Sequence, residues 1–130
     1  MNSKVIIVLK GRFDVQPPIM NLALALFSIL GDLVVICSIC PENIVSQYAK
    51  RGIKIITLFT EGMDNINTTH GKLKHWLLFR KKAWAFIEKE GKGSLLWIAT
   101  ADTAIALGKN LYNQFYILEL LELYDTFPVY

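Results

Sequence analysis

The sequence predicts an α/β fold with a doubly wound parallel sheet of about five strands and helices on both faces. Val5 to Leu9 is an unbroken aliphatic run, which is typical of a strand buried on both faces. Helical segments alternate with four further strand-like runs, the pattern of a parallel sheet. The chain has 130 residues, of which 53% are hydrophobic and 19% charged. These totals predict one domain, residues 1–130, with a sizeable core.

The first half of the chain predicts three strands with a helix between each consecutive pair. After the first strand, Gly11 predicts a turn, and the prolines at 17 and 18 favour a helix start. That helix, Pro18 to Leu30, is apolar nearly all round, which predicts an interior helix. Leu33 to Ile39 is the second strand. A short helix from Glu42 to Arg51 follows, and then the third strand, Ile53 to Phe59.

The second half begins with a run of turn formers. Thr60 to Gly71 has little periodicity and predicts a loop of about a dozen residues, a length often associated with function. A long helix is expected over Lys72 to Lys89 and a fourth strand over Ser94 to Ala99. Thr100 or Asp102 can cap a helix running to about Asn110. The fifth strand is expected over Phe115 to Leu120.

The charge, cysteine content and hydrophobicity of the chain argue against a disulfide scaffold and a membrane-spanning protein. The net charge of +3 does not by itself indicate nucleic acid, and two cysteines do not suggest a disulfide scaffold but suit a reducing cytoplasm. Ile19 to Cys40 carries a single charge, Asp32, and is long enough to span a membrane. The Gly31-Asp32 break favours a buried helix, a turn and a strand instead. No signal peptide is expected.

Gly11 and Arg12 form a candidate anion-binding turn after the first strand. Ligands of doubly wound sheets bind beyond the carboxyl ends of the strands, so Lys10 to Gln16 is the expected rim of a cleft. Backbone N–H groups at the next helix start and the Arg12 guanidinium suit phosphate or carboxylate. The glycine-rich nucleotide fingerprints are not found. The alternative is an ordinary turn glycine.

Carboxylates follow the last two predicted strands. Glu119, Glu122 and Asp125 lie near the end of the fifth strand, where they suit acid–base chemistry or hydroxyl binding. Asp102 lies at the matching end of the fourth strand. The alternatives are a charged rim for the first three and a helix cap for Asp102.

The long helix is basic and rich in aromatic residues. A basic amphipathic helix of this kind is typical of binding to an anionic membrane surface, and the alternative is a layer helix with its lysines in water. The candidate membrane-facing residues are Lys72, Lys74, Arg80, Lys81 and Lys82. Nucleic acid could use the same charges, but no nucleic-acid motif accompanies them.

Cys37 and Cys40 form a C-x-x-C pair at a strand-to-helix turn. A helix start could activate a thiol, but buried, unreactive thiols are the commoner outcome. His70 and His75 lie too far along the chain from Cys40 for a usual zinc-finger spacing. We therefore expect no metal site.

The order of elements, the Gly11 turn and the segment ILELLELYDTFP at Ile117 to Pro128 resemble a known family. They are similar to the amino-terminal half of bacterial glycosyltransferases with two Rossmann-like domains, the family-four-like enzymes of cell-surface polysaccharide synthesis. Glu122 to Asp125 match a His-Glu-Leu-Tyr-Asp-like segment of that family, but Leu121 stands where histidine is expected.

The resemblance implies transfer of a sugar from a nucleotide-sugar to a glycan or lipid-linked acceptor in a cleft between two domains. The amino-terminal domain would hold the acceptor, with Gly11, Arg12, Asp102, Glu119 and Glu122 around it. The nucleotide-sugar would bind a second domain beyond Tyr130, so this chain alone is not expected to catalyse. The resemblance implies no cofactor, and it implies a cytoplasmic protein whose basic helix faces the inner leaflet.

Two other interpretations remain open. One is a flavodoxin-like or receiver-like binding module without catalysis, although the first turn has neither a Ser/Thr-rich phosphate loop nor an acidic pair. The other is a structural interaction domain that covers an open sheet edge with a partner.

Overall fold

The structure, a computed structural model, describes residues 4–60, 69–90 and 93–119. It is an α/β domain with a five-stranded, all-parallel sheet in the order β3-β2-β1-β4-β5, which confirms the predicted fold class. The strands are β1 (Val5–Arg12), β2 (Leu33–Ile39), β3 (Lys54–Thr57), β4 (Leu95–Ile98) and β5 (Tyr116–Leu118). The helices are α1 (Pro17–Leu30), α2 (Glu42–Arg51), α3 (Thr69–Glu90) and α4 (Ala101–Leu107), with 3-10 turns at Phe13–Val15 and Gly108–Asn113.

The two faces of the sheet are covered by different pairs of helices. Alternate residues of β1 point to opposite sides, as the period of a strand requires. Ile6 and Val8 belong to the core under α3 and α4, which includes the fully buried Phe79. Ile7 and Leu9 belong to the core under α1 and α2, which includes the buried Ile19. The sheet is therefore doubly wound, with a Rossmann-like arrangement of helices.

Helix α1 differs from the expectation of an interior helix. Only Ile19 and Ala23 are buried, and Ile29 is 77% exposed. The sheet covers one side of α1, and no described residue buries the side that carries Ile29. Hydrophobicity on every side of a helix therefore did not lead to burial on every side.

The end of β1 and the start of α3 differ from the sequence prediction, and both lie near the predicted cleft. Strand β1 continues through Gly11 to Arg12, with a register shift against β2 between Leu9 and Arg12, where the sequence predicted a turn. Helix α3 begins by Thr69, earlier than predicted, and most of the expected loop lies outside the described residues. None of the helices in the described ranges has the length and hydrophobicity needed to span a bilayer.

Candidate functional site

The strand order places a topological switch point between β1 and β4. From β1 the chain first adds β2 and β3 on one side, and then β4 and β5 on the other. Crossover connections diverge there, which leaves a crevice at the carboxyl ends of the two strands, the usual ligand position in this architecture. Lys10 at the end of β1 and Asp102 in the first turn of α4 lie at this crevice.

Two threonines make the hydrogen bonds that join β1 to α4 at this crevice. The backbone N–H of Lys10 donates to Thr103 Oγ1 at 2.8 Å, and Thr103 is fully buried. Thr100 caps α4, because its Oγ1 accepts from the Thr103 N–H at 3.1 Å and lies 2.8 Å from the Thr103 hydroxyl. These bonds join the end of β1 to the start of α4, so the position of the Lys10 backbone is well defined.

The Lys10 side chain lies between a carboxylate and an aromatic ring. Its Nζ is 3.5 Å from Asp102 Oδ2 and 5.4 Å from the centroid of the Trp76 ring. The side chain of Lys10 is 23% exposed and that of Asp102 is 57% exposed. Lys10 therefore carries its charge at the solvent-facing rim, supported by a cation–π contact with α3.

A second cation–aromatic contact lies further along α3, at the end of β3. Lys82 Nζ is 5.0 Å from the Phe59 ring centroid and donates to the Leu58 carbonyl at 3.1 Å. Phe59 stacks on His75 with centroids 4.2 Å apart. The ends of β1 and β3 thus each have a lysine ammonium close to an aromatic ring.

Gly11 and Arg12, both predicted to bind the acceptor, lie at this edge but are engaged within the chain. The Gly11 N–H donates to Ser38 Oγ at 3.0 Å. The Arg12 guanidinium donates twice to the Asp14 carboxylate, with both distances 3.3 Å. The Gly11 N–H and the Arg12 guanidinium, both predicted to bind an anion, therefore already donate hydrogen bonds within the chain.

The start of α1 offers few backbone donors to an anion. Pro17 and Pro18 have no N–H group. The N–H groups of Ile19 and Met20 both donate to the Gln16 carbonyl at 3.0 Å. An anion site at this helix start, expected from the sequence, thus has no unbonded N–H among these four residues.

The predicted carboxylates are not grouped. Glu119 accepts a 2.7 Å hydrogen bond from Trp97 Nε1, and Trp97 is partly buried and packs against the core on the α1 side. Asp102 lies in the first turn of α4, which covers the opposite face of the sheet. Glu122 lies outside the described residues. Of the predicted acceptor residues that the structure describes, Asp102 is the one that lies against the Lys10 ammonium at the switch point.

The basic residues of α3 fall into two groups. Arg80 donates to the Ala106 and Ile105 carbonyls of α4 at 2.7 and 3.4 Å, and Lys82 donates to Leu58 as described. The other group surrounds two exposed leucines, Leu73 (55%) and Leu77 (52%). Its cations, all exposed, are Lys72, Lys74 and Lys81.

The cysteine pair has the properties of a buried structural site. Cys37 and Cys40 are both free and buried. The hydrogen bond with Cys40 and burial raise the pKa of the Cys37 thiol far above its ordinary value, which disfavours the thiolate that redox chemistry requires. No group of His, Cys, Asp and Glu side chains able to hold a metal ion occurs within residues 4–60, 69–90 and 93–119.

Sequence reasoning included Lys10 in the rim but assigned it no role, and it missed Trp76 and Thr103. Trp76 was visible only as one of several aromatic residues of a helix. Its contact with Lys10 depends on how α3 crosses the sheet. The two prolines, by contrast, already signalled in the sequence that the start of α1 lacks donors.

Comparison with protein-family models, with curated proteins and with solved structures finds no match for this chain.

Proposed function

We propose that the chain is the acceptor-side, amino-terminal domain of a glycosyltransferase with two Rossmann-like domains. It would hold a glycan or lipid-linked acceptor at the switch point, while a nucleotide-sugar binds a second domain. The supporting observation is the strand order β3-β2-β1-β4-β5 with a cation, a carboxylate and an indole ring at the carboxyl ends of β1 and β4. The reaction class, sugar transfer, comes from the resemblance of the sequence to glycosyltransferases.

The strand order also bears on the main alternative. Flavodoxin-like and receiver-like domains have the order 2-1-3-4-5, with β3 beside β1 on the side opposite β2. Here β3 pairs with β2 at an edge and β1 pairs with β4. The order matches the first five strands of the Rossmann sheet, 3-2-1-4-5-6, which favours the glycosyltransferase interpretation over a flavodoxin-like or receiver-like module.

A peripheral position at an anionic membrane is part of this proposal. The exposed leucines at 73 and 77, with Lys72, Lys74 and Lys81 around them, offer apolar side chains to insert and ammonium groups for anionic lipid. Arg80 and Lys82 contribute less, because backbone carbonyls already accept from both.

The proposal is tested in the source organism. Deleting the gene should cause a lipid-linked saccharide one sugar short of the normal product to accumulate, as seen by mass spectrometry of extracted glycolipids. Restoring the intact gene should return the normal profile, and a gene encoding Lys10→Met should not. An unchanged saccharide and polysaccharide profile after deletion would contradict the proposal.

A further inference from the structure

We propose that Lys10 is the phosphate-binding residue of this crevice, and that a phosphoryl group of the acceptor replaces Asp102 as its counter-ion. The inference rests on the proposed function for the identity of the acceptor and names the chemical group that is recognised. It assigns the role to Lys10 rather than to Gly11 and Arg12.

The first argument is the availability of charge. The Arg12 guanidinium donates twice to Asp14 and the Gly11 N–H donates to Ser38, so binding an anion there would mean giving up bonds already made. Lys10 Nζ has a single carboxylate contact, 3.5 Å from Asp102 Oδ2, whereas the Arg12 guanidinium donates two hydrogen bonds to Asp14. Since Asp102 is 57% exposed, its carboxylate can return to water when another anion takes its place.

The second argument is the preorganisation of Lys10. Its backbone is fixed by the bond to buried Thr103, and its ammonium lies over the Trp76 ring. A lysine held at both ends loses less side-chain entropy on binding than a freely rotating one. The ammonium is therefore already placed at the switch point before a ligand arrives.

The third argument concerns the indole of Trp76. Its Nε1 is buried, and no described residue accepts a hydrogen bond from it. A buried donor without an acceptor is unusual in a folded protein and destabilises it. An oxygen of a phosphorylated ligand, or a water held by that ligand, would satisfy this donor beside the Lys10 ammonium.

Isothermal titration calorimetry, which measures the affinity of the chain for inorganic pyrophosphate, tests the inference. We expect Lys10→Met to weaken binding roughly tenfold or more, since it removes one charged hydrogen bond. Asp102→Asn should tighten binding, because it removes the competing anion, and Lys10→Arg should retain affinity. The matched control is Lys54→Met. Lys54 is the first residue of β3, so it lies away from the carboxyl edge of the sheet, and its ammonium is paired with Glu90.

Three outcomes would overturn the inference: no binding of pyrophosphate by the wild-type chain, equal loss in Lys54→Met, or weaker binding in Asp102→Asn. Thermal melts of each variant confirm that the chain is folded. Binding to vesicles that contain phosphatidic acid is measured in parallel, to distinguish a lipid headgroup from a free phosphate. Only if the ligand is a lipid headgroup should Lys10→Met reduce binding to these vesicles. Pyrophosphate binding that needs Lys10, found together with an unchanged saccharide profile after gene deletion, would retain this site and remove the glycosyltransferase proposal.

Discussion

The backbone N–H of Lys10 donates a 2.8 Å hydrogen bond to the fully buried hydroxyl of Thr103, and this bond joins the end of β1 to the first turn of α4. The two residues lie far apart in sequence but meet at the switch point of the sheet. The bond fixes the main chain from which the Lys10 side chain reaches Asp102 and Trp76.

Thr103→Val should destabilise the domain. The substitution keeps the shape of the side chain but leaves the partly buried Lys10 N–H without its acceptor, which costs about 1 kcal/mol. Urea denaturation followed by circular dichroism measures the change in the free energy of unfolding. Thr57→Val, an exposed threonine on β3, is the control and should change it by less than about 0.5 kcal/mol. Equal effects of the two variants would contradict a special role for Thr103.

Glu90 should make stability depend on acidic pH. Its carboxylate accepts from Lys54 at 2.6 Å and from Lys4 at 3.4 Å, and the hydrogen bond from Lys54 is the main cause that lowers its pKa below the ordinary 4.5. A lowered carboxyl pKa stabilises the fold above the unfolded-state pKa, and the stabilisation is lost as pH falls through the folded-state pKa.

Glu90→Gln should therefore be less stable than the wild type at pH 7, and the difference should shrink as the pH falls below about 4.5. Urea denaturation at pH 7 and pH 3 measures both differences. Glu88→Gln, an exposed neighbour on α3, is the control. A difference for Glu90→Gln that stays constant across this range would show that the ion pairs are not its source.

The two thiols should react slowly in the folded chain. Cys37 is fully buried and its pKa is raised by the hydrogen bond with Cys40 and by burial, so little thiolate is present at pH 7. Titration with Ellman's reagent should proceed at least about tenfold faster in 8 M urea than in buffer. Rapid reaction of the native chain would restore the redox interpretation of the C-x-x-C pair.

The outer face of α3 should bind anionic vesicles. Replacing Lys72, Lys74 and Lys81 together by Glu should reduce retention more than tenfold, because each lysine contributes about 1 kcal/mol near an anionic surface. Co-sedimentation with phosphatidylserine vesicles measures this. The matched control replaces three exposed cations elsewhere, Lys50, Arg51 and Lys109, by Glu. Equal losses in both triple variants, or equal retention by neutral vesicles, would contradict a membrane-facing α3.

Much of the fold could be predicted from the sequence because its signals are local. The aliphatic run of β1 and the bounds of β2 and α2 follow from residue type and from glycines at helix ends, and the structure confirms them. The exposure of Ile29 could not be predicted. A helix that is apolar on all sides gives no signal of which side the sheet will cover.

The site was harder to predict because it depends on long-range placement. The position of the crevice followed from the rule for doubly wound sheets, but the strand order that defines it is not written in any single segment. The contact between Lys10 and Trp76 requires the crossing of α3 over β1. The pairing of Arg12 with Asp14, two residues apart, was within reach of sequence reasoning and lowers the weight of Arg12 as an anion ligand.

The most direct test of the ligand crevice is a titration with pyrophosphate followed by the indole N–H signals in a ¹⁵N-correlated NMR spectrum. The chain has three tryptophans. Trp84 Nε1 donates to the Leu107 carbonyl and Trp97 Nε1 to Glu119, so these two are internal references. We predict that the Trp76 signal shifts with pyrophosphate and the other two do not. An unmoved Trp76 signal at saturation, or equal shifts of all three, would contradict a ligand site at the switch point.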